Sequence, residues 1–180
     1  VLNASEAGFK TLSNYILFNY KDSPEDFYER LKINVKLNED YNLRIFSFPM
    51  RYVPIDHTDR SFIGEHWSKK KLSAIFKIMN VTKGIVAPGG RFFFTAFGND
   101  VEEYFKILML PEDYILNRIS KMNDGSILRW WNDLWSVCET KRQRIENIID
   151  RMAFEVWREF KDDPEARAIF DHYELEIKRV

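Results

Sequence analysis

Two apolar runs flank an amphipathic stretch near the start of the chain. Tyr15 to Phe18 is apolar throughout and gives way to the polar turn Asn19-Tyr20-Lys21-Asp22. Leu43 to Phe48 is a second β-rich run, and it reads as ending at Pro49. Between them, Phe27, Tyr28, Leu31 and Val35 recur at helical spacing with Asn34 and Asn38 beside them. Glu25, Glu29, Lys32 and Lys36 fall on the opposite face. Ser23, Pro24 and the acidic pair Glu25-Asp26 mark the helix start by capping, by a pre-set φ and by dipole complementarity. Strand, helix and strand within about forty residues predict a βαβ unit. Its strands run parallel, so the loops that follow them open on one sheet edge.

After residue 60 the helical period dominates. Leu72, Ile75, Phe76 and Met79 predict one helix, residues 82–90 break the pattern, and Phe92, Phe93 and Phe97 predict a short helix ended by Gly98. Further helices are expected around Tyr104 and after Pro111. Leu128, Trp131, Trp135, Cys138, Ile145, Ile149, Met152 and Val156 then alternate in steps of three and four, interrupted only by Arg142. This predicts one helix over residues 127–160, roughly 50 Å long at 1.5 Å per residue. It either folds back on its own domain or offers a self-association seam from Leu128 to Val156. Asp162-Asp163-Pro164 breaks it before a last helix carrying Ile169, Phe170, Tyr173 and Ile177.

The expected class is therefore α/β plus all-α. It has a βαβ piece in residues 1–60, a helical extension in 61–125, and a long helix with a terminal helix in 126–180.

Composition narrows the picture. The 180 residues are 45% hydrophobic and 31% charged with a net charge of −1, which gives no polyelectrolyte argument for nucleic acid or an anionic membrane. No apolar run reaches the length of a membrane span. One cysteine excludes an intrachain disulfide framework and fits a reducing, cytoplasmic compartment. Val1 in place of Met fits a processed or partial product.

Three clusters are candidates for chemistry. Asn19, Tyr20, Lys21 and Asp22 offer a carboxamide, a phenol, an ammonium and a carboxylate after the first strand. They can either hold a ligand or merely start the helix. Pro49, Met50, Arg51 and Tyr52 follow the second strand, where Arg51 suits an oxyanion or is simply a surface residue. Asp56, His57, Asp59, Glu65 and His66 share a polar loop but lack metal-ligand spacing, so no metal is expected. The glycines of KGIVAPGGR do not match a phosphate loop. Cys138 sits on the apolar stripe and reads as packed rather than reactive.

The runs SNYILFNYKDSPEDFYERLKINVKLNED and LRIFSFPMRYVPI, followed by DRSFIGEHW and KKKLSAIFKIMN, resemble the C-terminal half of a radical S-adenosylmethionine (SAM) protein from an uncharacterised bacterial group. The resemblance extends through GIVAPGGRFF, AFGND and the stretch from Leu110 to Arg118. It covers about residues 5–118 and omits the long helix and the tail. It implies a partial (β/α) barrel in which a four-iron four-sulfur cluster and SAM generate a 5′-deoxyadenosyl radical. Cofactor contacts would fall on Asn19, Tyr20, Lys21, Asp22, Pro49 and Met50, and substrate contacts on Arg51, Tyr52 and His66. The usual fifth-strand signature of that superfamily carries Gly where this chain has Asn19. The cluster motif C-x-x-x-C-x-x-C is missing, so no cluster is held by cysteine in this chain. An N-terminal half would have to supply it, and an exposed apolar sheet edge is expected where that half's strands pair. The alternative is a non-catalytic assembly protein that uses the long helix.

Overall fold

The computed structural model describes residues 1–56 and 61–179. It is a mixed α/β protein, mostly helical, with a two-stranded parallel sheet. Two compact units divide the chain: residues 1–67 with 78–107, and residues 68–77 with 108–180.

The first unit opens with α1 (Leu2–Glu6), then β1 (Thr11–Phe18), α2 (Pro24–Tyr41) and β2 (Arg44–Arg51). The expected βαβ order is present, with both strands longer than the apolar runs alone suggest. The start of α2 is a capping box: Ser23 Oγ accepts from the Asp26 N–H, and the Asp26 carboxylate accepts from the Ser23 N–H. Phe27, Tyr28, Leu31, Asn34, Val35 and Asn38 are buried against the sheet side. Asn42 ends the helix in the left-handed conformation.

β2 does not stop at Pro49; it runs on to Arg51. The reason lies in the register, which pairs Thr11 with Arg44 through Phe18 with Arg51. Arg44 donates to the Lys10 carbonyl and Tyr52 to the Phe18 carbonyl, each at 2.8 Å. Even-numbered residues of β2 therefore face β1, and Pro49 lies on the far side, where its missing N–H breaks no rung.

α3 (Lys69–Val81) contributes to both units, α4 (Gly90–Phe97) belongs to the first, and α5 (Val101–Met109) begins there. Phe93 and Phe97 stack at 5.4 Å, and Tyr28 lies 5.2 Å from Phe93 and 5.1 Å from Tyr104. Tyr28 donates its hydroxyl to the Gly98 carbonyl. This aromatic block is the core of the first unit.

The second unit holds α6 (Glu112–Leu116), α7 (Arg118–Asn123), α8 (Ser126–Ser136), α9 (Glu139–Arg151), a 3₁₀ segment (Phe154–Phe160), α10 (Pro164–Asp171) and α11 (Glu174–Ile177). The single helix expected over residues 127–160 is corrected to two helices and a 3₁₀ turn. Val137 (ψ 155) and Cys138 (ψ 152) are extended, and Met152 ends α9 with φ 52. Buried Val137 and the Arg142 guanidinium 4.0 Å from the Trp135 ring hold the corner. Cys138, expected to be packed, is exposed at the N-cap of α9. Ile145, Ile148 and Ile149 are buried, whereas Leu128 and Trp135 stay exposed. The predicted seam is thus neither continuous nor free along its length. Among the described residues, no helix is long and apolar enough to cross a membrane.

Candidate functional site

The loops after β1 and β2 meet at one rim, and Asn19 ties them together. It is fully buried and adopts φ 72, a left-handed conformation that costs a non-glycine residue energy but which Asn tolerates better than most. Its Nδ2 donates to the carbonyls of Tyr52 and Phe62, both at 3.1 Å, and its Oδ1 accepts from the Gly64 N–H at 2.8 Å. A Cβ on Gly64 would lie 2.4 Å from the Tyr20 carbonyl oxygen, so only glycine fits there. Three chain segments are locked around one side chain.

Asp22 is also committed. Its carboxylate accepts from the Tyr20 N–H at 2.8 Å and from Arg30, while the Asp22 carbonyl accepts from Trp67 Nε1 at 2.8 Å. Arg51 donates to the Phe62 carbonyl at 2.6 Å. Pro49 is buried in β2, Met50 is 45% exposed on the opposite side, and His66 is exposed in the turn before Trp67. Tyr20 and Tyr52 form a ring pair at 4.6 Å, Phe62 stands edge-on to Tyr52 at 5.7 Å, and the exposed Lys21 ammonium lies 5.6 Å from the Tyr20 centroid.

The structure thus brings Asn19–Asp22 and Arg51–Tyr52 to one rim. It assigns Asn19 and Asp22 to holding that rim and leaves Tyr20, Lys21 and Tyr52 at its surface. Of the polar loop, His57 and Asp59 lie outside the described residues. Among the described residues, no group of three or more His, Cys, Asp or Glu side chains is arranged to hold a metal.

The sheet itself is finished on one edge and unfinished on the other. On the far side of β2, the Ile45 N–H donates to Asn38 Oδ1 at 2.7 Å. Ser47 exchanges both backbone bonds with Val86, and Pro49 has no N–H to satisfy. On the far side of β1, the N–H and C=O groups of Thr11, Ser13, Tyr15 and Leu17 point away from β2 and have no partner among the described residues. These four residues are exposed, Tyr15 by 71% and Leu17 by 50%. α2 covers only one face of the sheet. Tyr15, Leu17, Phe46, Phe48 and Met50 make the other face apolar, with Tyr15 and Phe48 paired at 5.8 Å.

Sequence reasoning missed Phe62 and Gly64, which enter the rim only through long-range contacts. The two buried asparagines of α2 stood beside its apolar stripe, and that was their only signal. It also missed a buried ionic cluster in the second unit. Glu112, 3% exposed, accepts from Ser73, from Lys77 at 3.0 Å and from Arg179. Burial pushes its carboxyl up, but these three donors together outweigh burial and hold it at about 2. The Glu112 N–H donates to Glu176 Oε1 at 2.6 Å. Lys70, with no exposed surface, donates to the Leu110 carbonyl and lies 3.8 Å from Glu176. Burial lowers its ammonium to about 8 against the pull of Glu176 and Glu112. Nearby, His172 links the Tyr114 hydroxyl (2.7 Å) to Asp133 (2.9 Å). This cluster ties the last turns of the chain to α6.

Comparison with known proteins finds no matching family model, no matching curated protein and no matching solved structure.

Proposed function

We propose that this chain is the C-terminal portion of a radical SAM enzyme. In this reading it contributes the rim and part of the inner wall of a partial (β/α) barrel, while a separate cluster-bearing portion completes the enzyme. The observation that carries this reading is the asymmetry of the sheet. Parallel sheets are normally covered on both faces and closed or covered at their edges. Here β2 is closed off by Asn38, Val86 and Pro49, whereas β1 presents an open edge and an apolar face. In a barrel the helix-covered face is the outside, and the opposite face lines the interior above which the βα loops form the site. Tyr15, Leu17, Phe48 and Met50 are then interior residues, and Tyr20, Lys21 and Tyr52 stand at the mouth.

The residues present do not fit the cluster. The only thiol is Cys138, exposed and in the second unit, so three thiolates must come from elsewhere. The assignment to this enzyme class comes from the sequence resemblance. The open edge supports the need for a strand-bearing partner, and it favours that interface over the Leu128–Val156 stripe.

The test combines this chain with an N-terminal portion that carries C-x-x-x-C-x-x-C, either in one reading frame or co-expressed. Under reducing conditions the reconstituted protein is expected to convert SAM to methionine and 5′-deoxyadenosine, and neither part alone should do so. A stable iron-loaded complex that yields no 5′-deoxyadenosine would falsify the assignment.

A further inference from the structure

The rim holds its polar groups and its aromatic groups in different states. Both ends of the Asn19 carboxamide are bonded to backbone, and both Asp22 oxygens are occupied, one of them by Arg30. Trp67 spends its indole N–H on the Asp22 carbonyl. These groups are not free to read a ligand. Tyr20 remains 48% exposed, its ring 4.6 Å from Tyr52 and tilted 56° to it, with Phe62 edge-on to Tyr52 and the Lys21 ammonium over the Tyr20 ring, 5.6 Å from its centroid. The left-handed backbone at Asn19 and the close approach of Gly64 to the Tyr20 carbonyl fix where that ring stands. Strain of this kind persists only where the surroundings over-determine it, and here its effect is to pre-position an aromatic step.

We infer that Tyr20, Tyr52 and Phe62 form a stacking ledge for a planar aromatic ligand that bears an acidic group, with Lys21 as the charge partner. Aromatic rings prefer offset or edge-on contacts with other rings, and the exposed Lys21 ammonium, 5.6 Å from the Tyr20 centroid, adds preference for an anion. The ledge names the substrate class of the site proposed above and rests on that rim facing the ligand. Its recognition is by ring face and charge, since Asn19 and Asp22 are already engaged with backbone and with Arg30.

The test uses the full chain alone, so it is independent of cluster loading and of 5′-deoxyadenosine formation. Indole-3-acetate, indole and cyclohexylacetate are titrated while backbone amide shifts are followed by NMR. Indole-3-acetate is expected to shift the amides of Tyr20, Tyr52 and Phe62, and to bind more tightly than either of the other two. Tyr20→Leu is expected to weaken it by roughly three- to tenfold, the range for losing one aromatic contact. Lys21→Ala should bring indole-3-acetate and indole to similar affinity. Tyr52→Leu serves as a second variant, with the Gly64 amide position reporting that the rim is intact. Equal binding of cyclohexylacetate and indole-3-acetate, shifts confined to other regions, or unchanged affinity in both tyrosine variants would overturn the ledge. Such a result would leave the enzyme class to be decided by the reconstitution experiment.

Discussion

In the first unit the buried polar side chains are Asn19, Asn34, Asn38 and Ser47; in the second they are Lys70, Glu112, Ser126 and Glu176. The first set is neutral. Amides can both donate and accept, so they fix register and loop position without bringing a charge into the core, although Asn38 Nδ2 is buried without a hydrogen-bond partner among the described residues. Asn38 closes an edge, Asn34 donates to Ser47 Oγ at 2.9 Å, and Asn19 ties the loop after β1 to the loop after β2. The second set is mostly ionic. Ions give stronger but less forgiving links, and their stability depends on pH. The second unit is tied together by its own charges, whereas the first has a hydrogen-bonded rim and an open edge along β1 among the described residues.

A proline on each side of β1 tests whether its outer edge is open. Phe46→Pro removes a rung between the strands and is expected to cost more than about 3 kcal/mol. Ser13→Pro removes an N–H that points outward and should cost about 1 kcal/mol or less. Urea unfolding followed by the fluorescence of Trp67, the tryptophan of the first unit, distinguishes them. Equal losses would mean that the β1 edge is not open.

Glu112→Gln tests the second unit. Removing the carboxylate leaves Lys77 and Arg179 without their partner, and a loss of about 3 kcal/mol is expected at pH 7, at the low end for buried pairs because Arg179 is partly exposed. The folded carboxyl lies at about 2 against 4.5 ordinarily, so its contribution is complete above pH 4.5 and disappears as the pH falls towards 2. The gap between wild type and Glu112→Gln in denaturant titrations should close over that window.

Asn19→Ala is expected to cost about 2 kcal/mol, because three hydrogen bonds are lost. Hydrogen exchange at the Gly64 amide should accelerate while exchange in the second unit stays constant. Exchange unchanged at Gly64 would count against the clamp.

Lys70 has no effect to show at neutral pH and is tested at alkaline pH. Its folded ammonium titrates at about 8 against 10.5 ordinarily, so the unfolded chain binds more protons between those values and stability rises with pH across that window. Lys70→Met removes this slope. Thermal melts of the two proteins should show wild type gaining on the variant from pH 8 to 10.5, and parallel curves would refute the buried charge.

Much of the first unit was legible from local signals. The period of Phe27, Tyr28, Leu31 and Val35, together with the Ser23-Pro24 start, specified α2, and the flanking apolar runs specified two parallel strands. These signals are short-range, so a single sequence carries them. The rim was legible only in part. Asn19–Asp22 and Pro49–Tyr52 are expected at one edge from the strand pattern, but that Asn19 serves the backbone depends on Phe62 and Gly64, more than forty positions away. The long-helix expectation failed for a related reason. A three-four repeat is continuous in sequence, whereas the backbone turns extended at Val137 and Cys138, and neither that turn nor the burial of Val137 is carried by a local period.

By itself, the sequence determined the βαβ order, the start of α2, the helical character after residue 60 and the lack of cluster-binding thiols. These follow from side-chain period, capping chemistry and counting. Only the tertiary structure decided which strand edge is closed, which rim groups remain free, and how Glu112 gathers Ser73, Lys77 and Arg179. Hydrogen-bond satisfaction and burial depend on partners that chain order alone does not name.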